Sequence, residues 1–160
     1  MNDRLKRIRP YVVSVLIALA VGGLAAWLTR GAMMEDSMLR QPPLSPPPWL
    51  FPIVWSILYT LVGISAAIIW RKAPLQRDKA LQPYGVQLFL NFWWPILFFL
   101  LDARLAAFVL LLLLIITVVR MIRRFYTISP AAALLNTPYL LWLLFAAYLN
   151  LGIYLLNRGI

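Results

Sequence analysis

Long apolar runs without a charged residue are the feature that most limits what this chain can fold into. Five such runs recur along its 160 residues, and most approach the roughly 20 residues with which an α-helix crosses a bilayer. Alternating segments of about 10 residues, typical of a membrane β-barrel, do not occur in the sequence. The sequence therefore predicts an all-α integral membrane protein, a five-transmembrane-helix bundle in one domain of residues 1–160. The predicted spans cover residues 11–28, 49–70, 80–101, 105–119 and 131–156.

Basic residues between the runs predict how the bundle is oriented. With five spans, one side carries 11 Lys and Arg residues and the other side carries 4: Arg30, Arg40, Arg104 and Arg158. The 11 lie in the amino terminus and in the second and fourth loops, and include Arg4, Arg71 and Arg120. The positive-inside rule then predicts a cytoplasmic amino terminus and a carboxyl terminus outside, in what we expect to be a bacterial cell membrane. Because the charges are split into short clusters, we expect no nucleic-acid partner despite a net charge of +10.

Several residue types are missing, and their absence excludes whole classes of chemistry. The sequence has no cysteine and no histidine, which removes disulfides, Ser-His pairs and the commonest zinc and haem ligands. None of the five predicted spans has an ionisable Asp, Glu, Lys or Arg in its interior, although proton relays and ion-coupled carriers need such groups. We therefore expect no metal site, no required cofactor and no acid–base catalyst.

The third predicted span carries polar and aromatic residues along one helical face. Tyr84, Gln87, Asn91, Trp94 and Phe98 follow one another at steps of three and four. An amide that faced lipid would leave its donors and acceptors unpaired, so both amides are expected to face the bundle interior. They could serve as hydrogen bonds between helices, worth on the order of 1 kcal/mol each, or as the lining of a pocket.

The positions of the tryptophans divide them into two groups. The aromatic belt at the membrane surface explains three that lie near span ends, namely Trp27, Trp49 and Trp70. Trp55, Trp94 and Trp142 lie within their spans, where a belt does not explain them. They indicate either core packing or a pocket for a flat hydrophobic ligand.

The fifth predicted span repeats this pattern. Tyr139, Trp142, Ala146 and Asn150 step by three, four and four, and Pro138 is able to kink the approach to this face. The small side chain of Ala146 leaves space beside the aromatic residues. This face is therefore a second candidate wall of the pocket.

Two further patterns are weaker. Leu151, Tyr154 and Arg158 fit a spacing proposed for cholesterol contact, but an arginine that snorkels beside a belt tyrosine explains them as well. In the first span small residues recur every four positions, at Ala18, Gly22 and Ala26. Such a face lets another helix approach closely and would also suit a protein that acts only as a scaffold.

Three segments of the sequence resemble a known family. They are PPPWLFPIVWSILY at residues 46–59, QLFLNFWWPILFF at residues 87–99 and SPAAALLNTPYLLWLLFAAYLNLGIY at residues 129–154. Together they are similar to the translocator protein family, also called tryptophan-rich sensory proteins or peripheral-type benzodiazepine receptors (TspO/MBR). The resemblance covers most of residues 42–154, and the segments occur in the order in which the family has them.

The resemblance implies a five-helix membrane bundle, often a homodimer, with a pocket that opens toward the first loop. Family ligands include porphyrins, sterols and synthetic isoquinoline or benzodiazepine-type drugs, so protoporphyrin or another tetrapyrrole is the expected ligand. Matching positions place Trp55, Asn91, Trp94, Trp142, Ala146 and Asn150 in that pocket. With the residues chosen from spacing, the candidate ligand-binding set is Trp55, Tyr59, Gln87, Asn91, Trp94, Tyr139, Trp142, Ala146 and Asn150.

These observations favour a membrane receptor or sensor that binds flat hydrophobic ligands, and they leave three alternatives open. Some family members are reported to break down protoporphyrin in light and oxygen, which would make Trp55 the redox-active residue. A passive carrier of tetrapyrrole or sterol between the leaflets is the second alternative, and a scaffold is the third.

The first loop departs from the family pattern. Family members usually carry a Trp-Tyr pair where this chain has Glu35 and Asp36, and a tryptophan where it has Leu44. We therefore expect this protein to differ from its relatives at the entrance to the pocket.

Overall fold

A computed structural model describes residues 3–159, and these residues form helices joined by short loops. The α-helices are α1 (Asp3–Asp36), α2 (Leu50–Lys72), α3 (Arg77–Pro95), α4 (Arg104–Ile128), α5 (Pro130–Leu134) and α6 (Thr137–Asn157). A π-helical turn, Ile96–Leu100, follows α3 directly. No strand occurs in this described range. The predicted all-α membrane bundle is confirmed.

Four segments are long and apolar enough to cross a membrane: α1, α2, α4, and α5 with α6 taken together. The remaining predicted span, residues 80–101, is divided between α3 and the π-helical turn. Pro95 cannot donate a backbone hydrogen bond, and directly after it the Leu101 N–H reaches back five residues to the Ile96 carbonyl at 2.9 Å. The third helical segment therefore changes its hydrogen-bond pattern before it reaches α4.

The first helix is longer than the apolar run that predicts it. Sequence reasoning starts the first loop at Thr29, but α1 continues to Asp36, so the predicted loop boundary is wrong. Thirty-four residues extend about 51 Å, well beyond a hydrocarbon core of about 30 Å. The last turn is held by an ion pair between Asp36 and Arg104, 2.8 Å apart. The turn predicted at residues 125–130 is also too long, because α4 continues to Ile128.

The small-residue face of α1 packs against α2 of the same chain. Ala18 is fully buried, and the Tyr59 ring lies where a side chain on Gly22 would be. The third member of the predicted face, Ala26, is exposed, and Ala25 is buried in its place. Ala25 follows Ala18 by seven residues, and seven helical residues return to within about 20° of the starting direction around the helix axis. Ala26 follows Ala18 by eight residues and points about 80° away. A repeat of four residues therefore moves off the face that contacts α2.

The first loop lies along α6. The Asn157 side-chain amide accepts from the Arg40 backbone N–H at 3.0 Å and donates to the Arg40 carbonyl at 2.9 Å. Pro42 occupies the space beside Gly152, where a Cβ would lie 2.7 Å from the proline ring. The Tyr148 hydroxyl donates to the carbonyl of the next proline at 2.8 Å. These contacts fix the loop over one end of the bundle.

Leu44, at the tip of this loop, offers a test of local backbone strain. Its φ is +67° and its side chain is 84% exposed. A left-handed conformation costs a non-glycine residue about 1–2 kcal/mol, so Leu44→Gly is expected to raise the free energy of unfolding by up to about 1 kcal/mol. Leu75 is also highly exposed in a turn but is not left-handed. Leu75→Gly should therefore lower stability by about 0.5 kcal/mol through the unfolded chain. Thermal unfolding in detergent measures the stability of both variants. An equal loss of stability in the two variants would contradict backbone strain at Leu44.

Candidate functional site

A buried chain of two hydrogen bonds, called the relay below, joins α3 to α6 in the middle of the bundle. The Asn91 amide donates to the Tyr139 hydroxyl at 2.9 Å, and this hydroxyl donates to the Gln87 amide oxygen at 2.7 Å. Exposure of the three residues is between 1% and 3%. The prediction that both amides face the bundle interior is confirmed, because α6 supplies the partner that lipid could not.

Aromatic rings from α2 surround the same tyrosine. The Trp55 ring lies 5.4 Å from the Tyr59 ring and 6.3 Å from the Tyr139 ring, the latter edge to face. Phe51, one turn before Trp55, contacts Trp142 of α6 at 5.8 Å. Two helices, α2 and α6, therefore supply the aromatic cluster, and α3 adds the two amides of the hydroxyl relay.

A second chain of hydrogen bonds, the second relay, begins at Trp94 of α3 and leads toward the end of α1. The Trp94 indole N–H donates to the Asn150 oxygen at 3.1 Å, and the Asn150 amide donates to the Arg104 carbonyl at 2.9 Å. The Trp94 ring also stacks on Phe98 at 5.3 Å. Because Arg104 pairs with Asp36, this chain of contacts connects the third helical segment to the end of α1.

Two buried donors of the predicted site residues have no hydrogen-bond partner among residues 3–159: Gln87 Nε2 and Trp142 Nε1. An unpaired polar group in an apolar interior costs free energy, so such groups usually have a partner. An indole N–H can only donate, whereas an amide presents either a donor or an acceptor. Within residues 3–159, these two N–H groups therefore have no hydrogen-bond acceptor.

Ala146 lies one helical turn after Trp142 and one turn before Asn150, and it is 8% exposed. Thus α2, α3 and α6 supply all nine predicted ligand-binding residues, with the two relays and the aromatic cluster linking most of them. The sterol-pattern residues lie elsewhere. Tyr154 and Arg158 line a groove of about 860 Å³ beside α4, and Leu151 is not part of its lining.

The departures in the first loop have different surroundings. Asp36 is 9% exposed and forms the ion pair with Arg104. Glu35 and Leu44 are exposed. One acid therefore has a structural role at the end of α1, while the other two positions face outward.

Sequence reasoning did not identify the contact that orients the start of α6. The Asn136 amide donates to the Ser65 hydroxyl at 2.7 Å, and Ser65 donates to the Ala132 carbonyl at 2.7 Å. These bonds tie the break between α5 and α6 to α2, three residues before Tyr139. The sequence signal for this break is Asn136 two residues before Pro138, because closely spaced asparagine and proline residues are typical of a turn.

Comparisons with known proteins identify the family of the chain. The profile of the TspO/MBR family matches residues 14–156. The chain is 40% identical over 147 residues to the tryptophan-rich protein TspO of Archaeoglobus fulgidus, covering 91% of this chain and 95% of the relative. It is 36% identical over 157 residues to the tryptophan-rich protein TspO of Chlorobaculum tepidum, covering 95% and 98%. It is 35% identical over 124 residues to the human translocator protein, covering 76% and 73%. The chain therefore belongs to the TspO/MBR family.

Proposed function

We propose that this protein is a membrane receptor or sensor that binds protoporphyrin or a similar flat hydrophobic ligand inside its helical bundle. The observation that supports this most is the combination of Trp55, Trp94 and Trp142 with the buried relay at Tyr139. Each of these tryptophans is half-buried, whereas the polar residues of the relay are almost fully buried. Flat rings can therefore stack on aromatic faces while polar groups nearby fix their orientation.

The unpaired donors support a ligand that carries oxygen or nitrogen acceptors. Gln87 Nε2 belongs to the residue that accepts from Tyr139, Trp142 Nε1 lies one helical turn further along α6, and neither has a protein acceptor in the described range. Protoporphyrin brings two carboxylates and ring nitrogens to such donors. A sterol hydroxyl or the carbonyl of an isoquinoline-type drug would offer one acceptor, so these ligands remain part of the proposal.

Titration with protoporphyrin in the dark, followed by tryptophan fluorescence, tests the proposal. We expect saturable quenching, and about fivefold to tenfold weaker binding in Trp55→Phe and in Trp142→Phe. This magnitude follows from a stacked aromatic contact worth about 1 kcal/mol. Trp27→Phe is the matched control, because Trp27 is 58% exposed on α1 and lies outside the cluster. Absence of saturation, or equal weakening in the control, would rule out this binding site.

The proposal also includes an orientation of the bundle in the membrane and a homodimer. One end of the bundle carries Arg71 and Lys72, with Arg124 donating to the Lys79 carbonyl at 2.6 Å, and we assign this basic end to the cytoplasm. The homodimer rests on the family resemblance. Cysteine accessibility from either side would test the direction, and cross-linking in membranes would test the dimer.

A further inference from the structure

A lateral groove of about 860 Å³ opens between the start of α4 and the end of α6. Along one wall, Leu105, Val109 and Leu113 lie on successive turns of α4, and each is about half exposed. A row of this kind follows one helix face for about 12 Å. Since it belongs to a membrane helix, this apolar wall is suited to a lipid acyl chain.

Two opposite charges stand at the mouth of this groove. Arg158 is exposed and forms no ion pair within the described part of the chain. Asp102 contacts Arg104 but keeps a side chain that is 69% exposed. Arg104 itself lies between Asp102 and Asp36, so its charge is already compensated. Within residues 3–159, the groove therefore has one cation without an ion pair, Arg158, and one largely exposed carboxylate, Asp102, which shares Arg104 with Asp36.

The backbone holds this carboxylate in a fixed place. Asp102 has a φ of +52°, and it lies two residues after Leu100, the last residue of the π-helical turn. The next residue, Ala103, donates to the Leu97 carbonyl at 2.9 Å, which closes the turn around Asp102. A left-handed aspartate is tolerated at modest cost, and such conformations are retained where the surrounding structure determines them.

We propose that this groove binds one membrane phospholipid with a zwitterionic head group that carries a primary amine, as phosphatidylethanolamine does. Its acyl chain lies along the α4 wall, its phosphate pairs with Arg158 and its ammonium pairs with Asp102. The ends of α4 and α6 place both charges where a lipid head group lies. A primary ammonium donates charge-assisted hydrogen bonds to a carboxylate, whereas a trimethylated one has no N–H. An anionic head group would leave Asp102 with only Arg104, which it already shares with Asp36. This inference does not depend on the proposed porphyrin site.

Native mass spectrometry of the full-length protein, taken from bilayers with equal amounts of phosphatidylethanolamine, phosphatidylcholine and phosphatidylglycerol of matched chains, tests the proposal. We expect one retained lipid, with phosphatidylethanolamine favoured at least about fivefold over either competitor. In Asp102→Asn this preference should fall to about one, because asparagine also tolerates the left-handed conformation but has no charge. Arg158→Gln should reduce retention of all three phospholipids. Val109→Trp should remove the lipid by filling the groove while both charges stay.

Asp78→Asn is the matched control, since Asp78 is an exposed acid at the start of α3, outside the groove. It should keep the wild-type preference. Equal retention of the three phospholipids by the wild-type protein would overturn the proposal. A preference that survives Asp102→Asn would also overturn it, and so would displacement of phosphatidylethanolamine by an equal amount of sterol.

Discussion

Gly63→Ala is expected to lower the free energy of unfolding by about 1–3 kcal/mol, the usual cost of forcing extra volume into a packed contact. A Cβ at Gly63 would lie 2.6 Å from the Val15 Cα and 2.8 Å from the Val15 backbone N. These are backbone atoms of α1, and no rotation of a side chain moves them away. The substitution must therefore separate α1 from α2 at one of the contacts that hold the first helix to the bundle.

Gly23→Ala is the control for this experiment. Gly23 is also a helical glycine, but a Cβ there meets nothing within 4 Å. Alanine has the higher helix propensity, so stability should stay equal or rise slightly. Unfolding of both variants in detergent, measured by circular dichroism against a denaturant, provides the comparison. Equal behaviour of the two variants would contradict the close approach of α1 and α2 at Gly63.

Tyr139→Phe is expected to lower the free energy of unfolding by about 1–2 kcal/mol. The substitution removes one oxygen and leaves the Asn91 amide without its acceptor and the Gln87 amide without its donor. Both amides are buried where water is scarce, so the cost is that of polar groups left unpaired. The effect measures how far the relay contributes to stability.

Two comparisons make this experiment specific. Tyr126 is 60% exposed, so Tyr126→Phe should change stability by no more than about 0.5 kcal/mol. The second comparison is a variant that combines Tyr139→Phe with Gln87→Leu and Asn91→Leu. It should be more stable than Tyr139→Phe alone, because no polar side chain of the relay then remains unpaired. If the combined variant is less stable than the single one, the unpaired amides are not the cause.

Physical constraints that act on single residues could be predicted from the sequence. Gln87 and Asn91 had to face inward, because the bilayer offers no hydrogen-bond partner on the outer side. The positions of Trp55, Trp94 and Trp142 within their spans likewise identified the three helices, α2, α3 and α6, that supply the candidate site. In each case the type of side chain and its depth in the span decide whether it faces lipid or the bundle interior.

Features that depend on partners distant in the sequence could not be predicted in the same way. The last turn of α1 is stabilised by the ion pair between Asp36 and Arg104, which are 68 residues apart. The groove beside α4 depends on where the π-helical turn ends, and hydrophobic periodicity does not encode that position. Ala26 was placed on the wrong face because a repeat of four drifts around the helix. The break at Asn136 was visible as a turn signal, but its contact with Ser65 was not.

The central claim is that a flat ligand binds among the tryptophans that lie within the bundle. The indole N–H resonances of the seven tryptophans, followed by nuclear magnetic resonance during a dark titration with protoporphyrin, test it most directly. The proposal predicts that the signals of Trp55, Trp94 and Trp142 shift and saturate together, while those of Trp27 and Trp70 stay in place. Shifts confined to the exposed tryptophans, or no saturable shift at all, would contradict it.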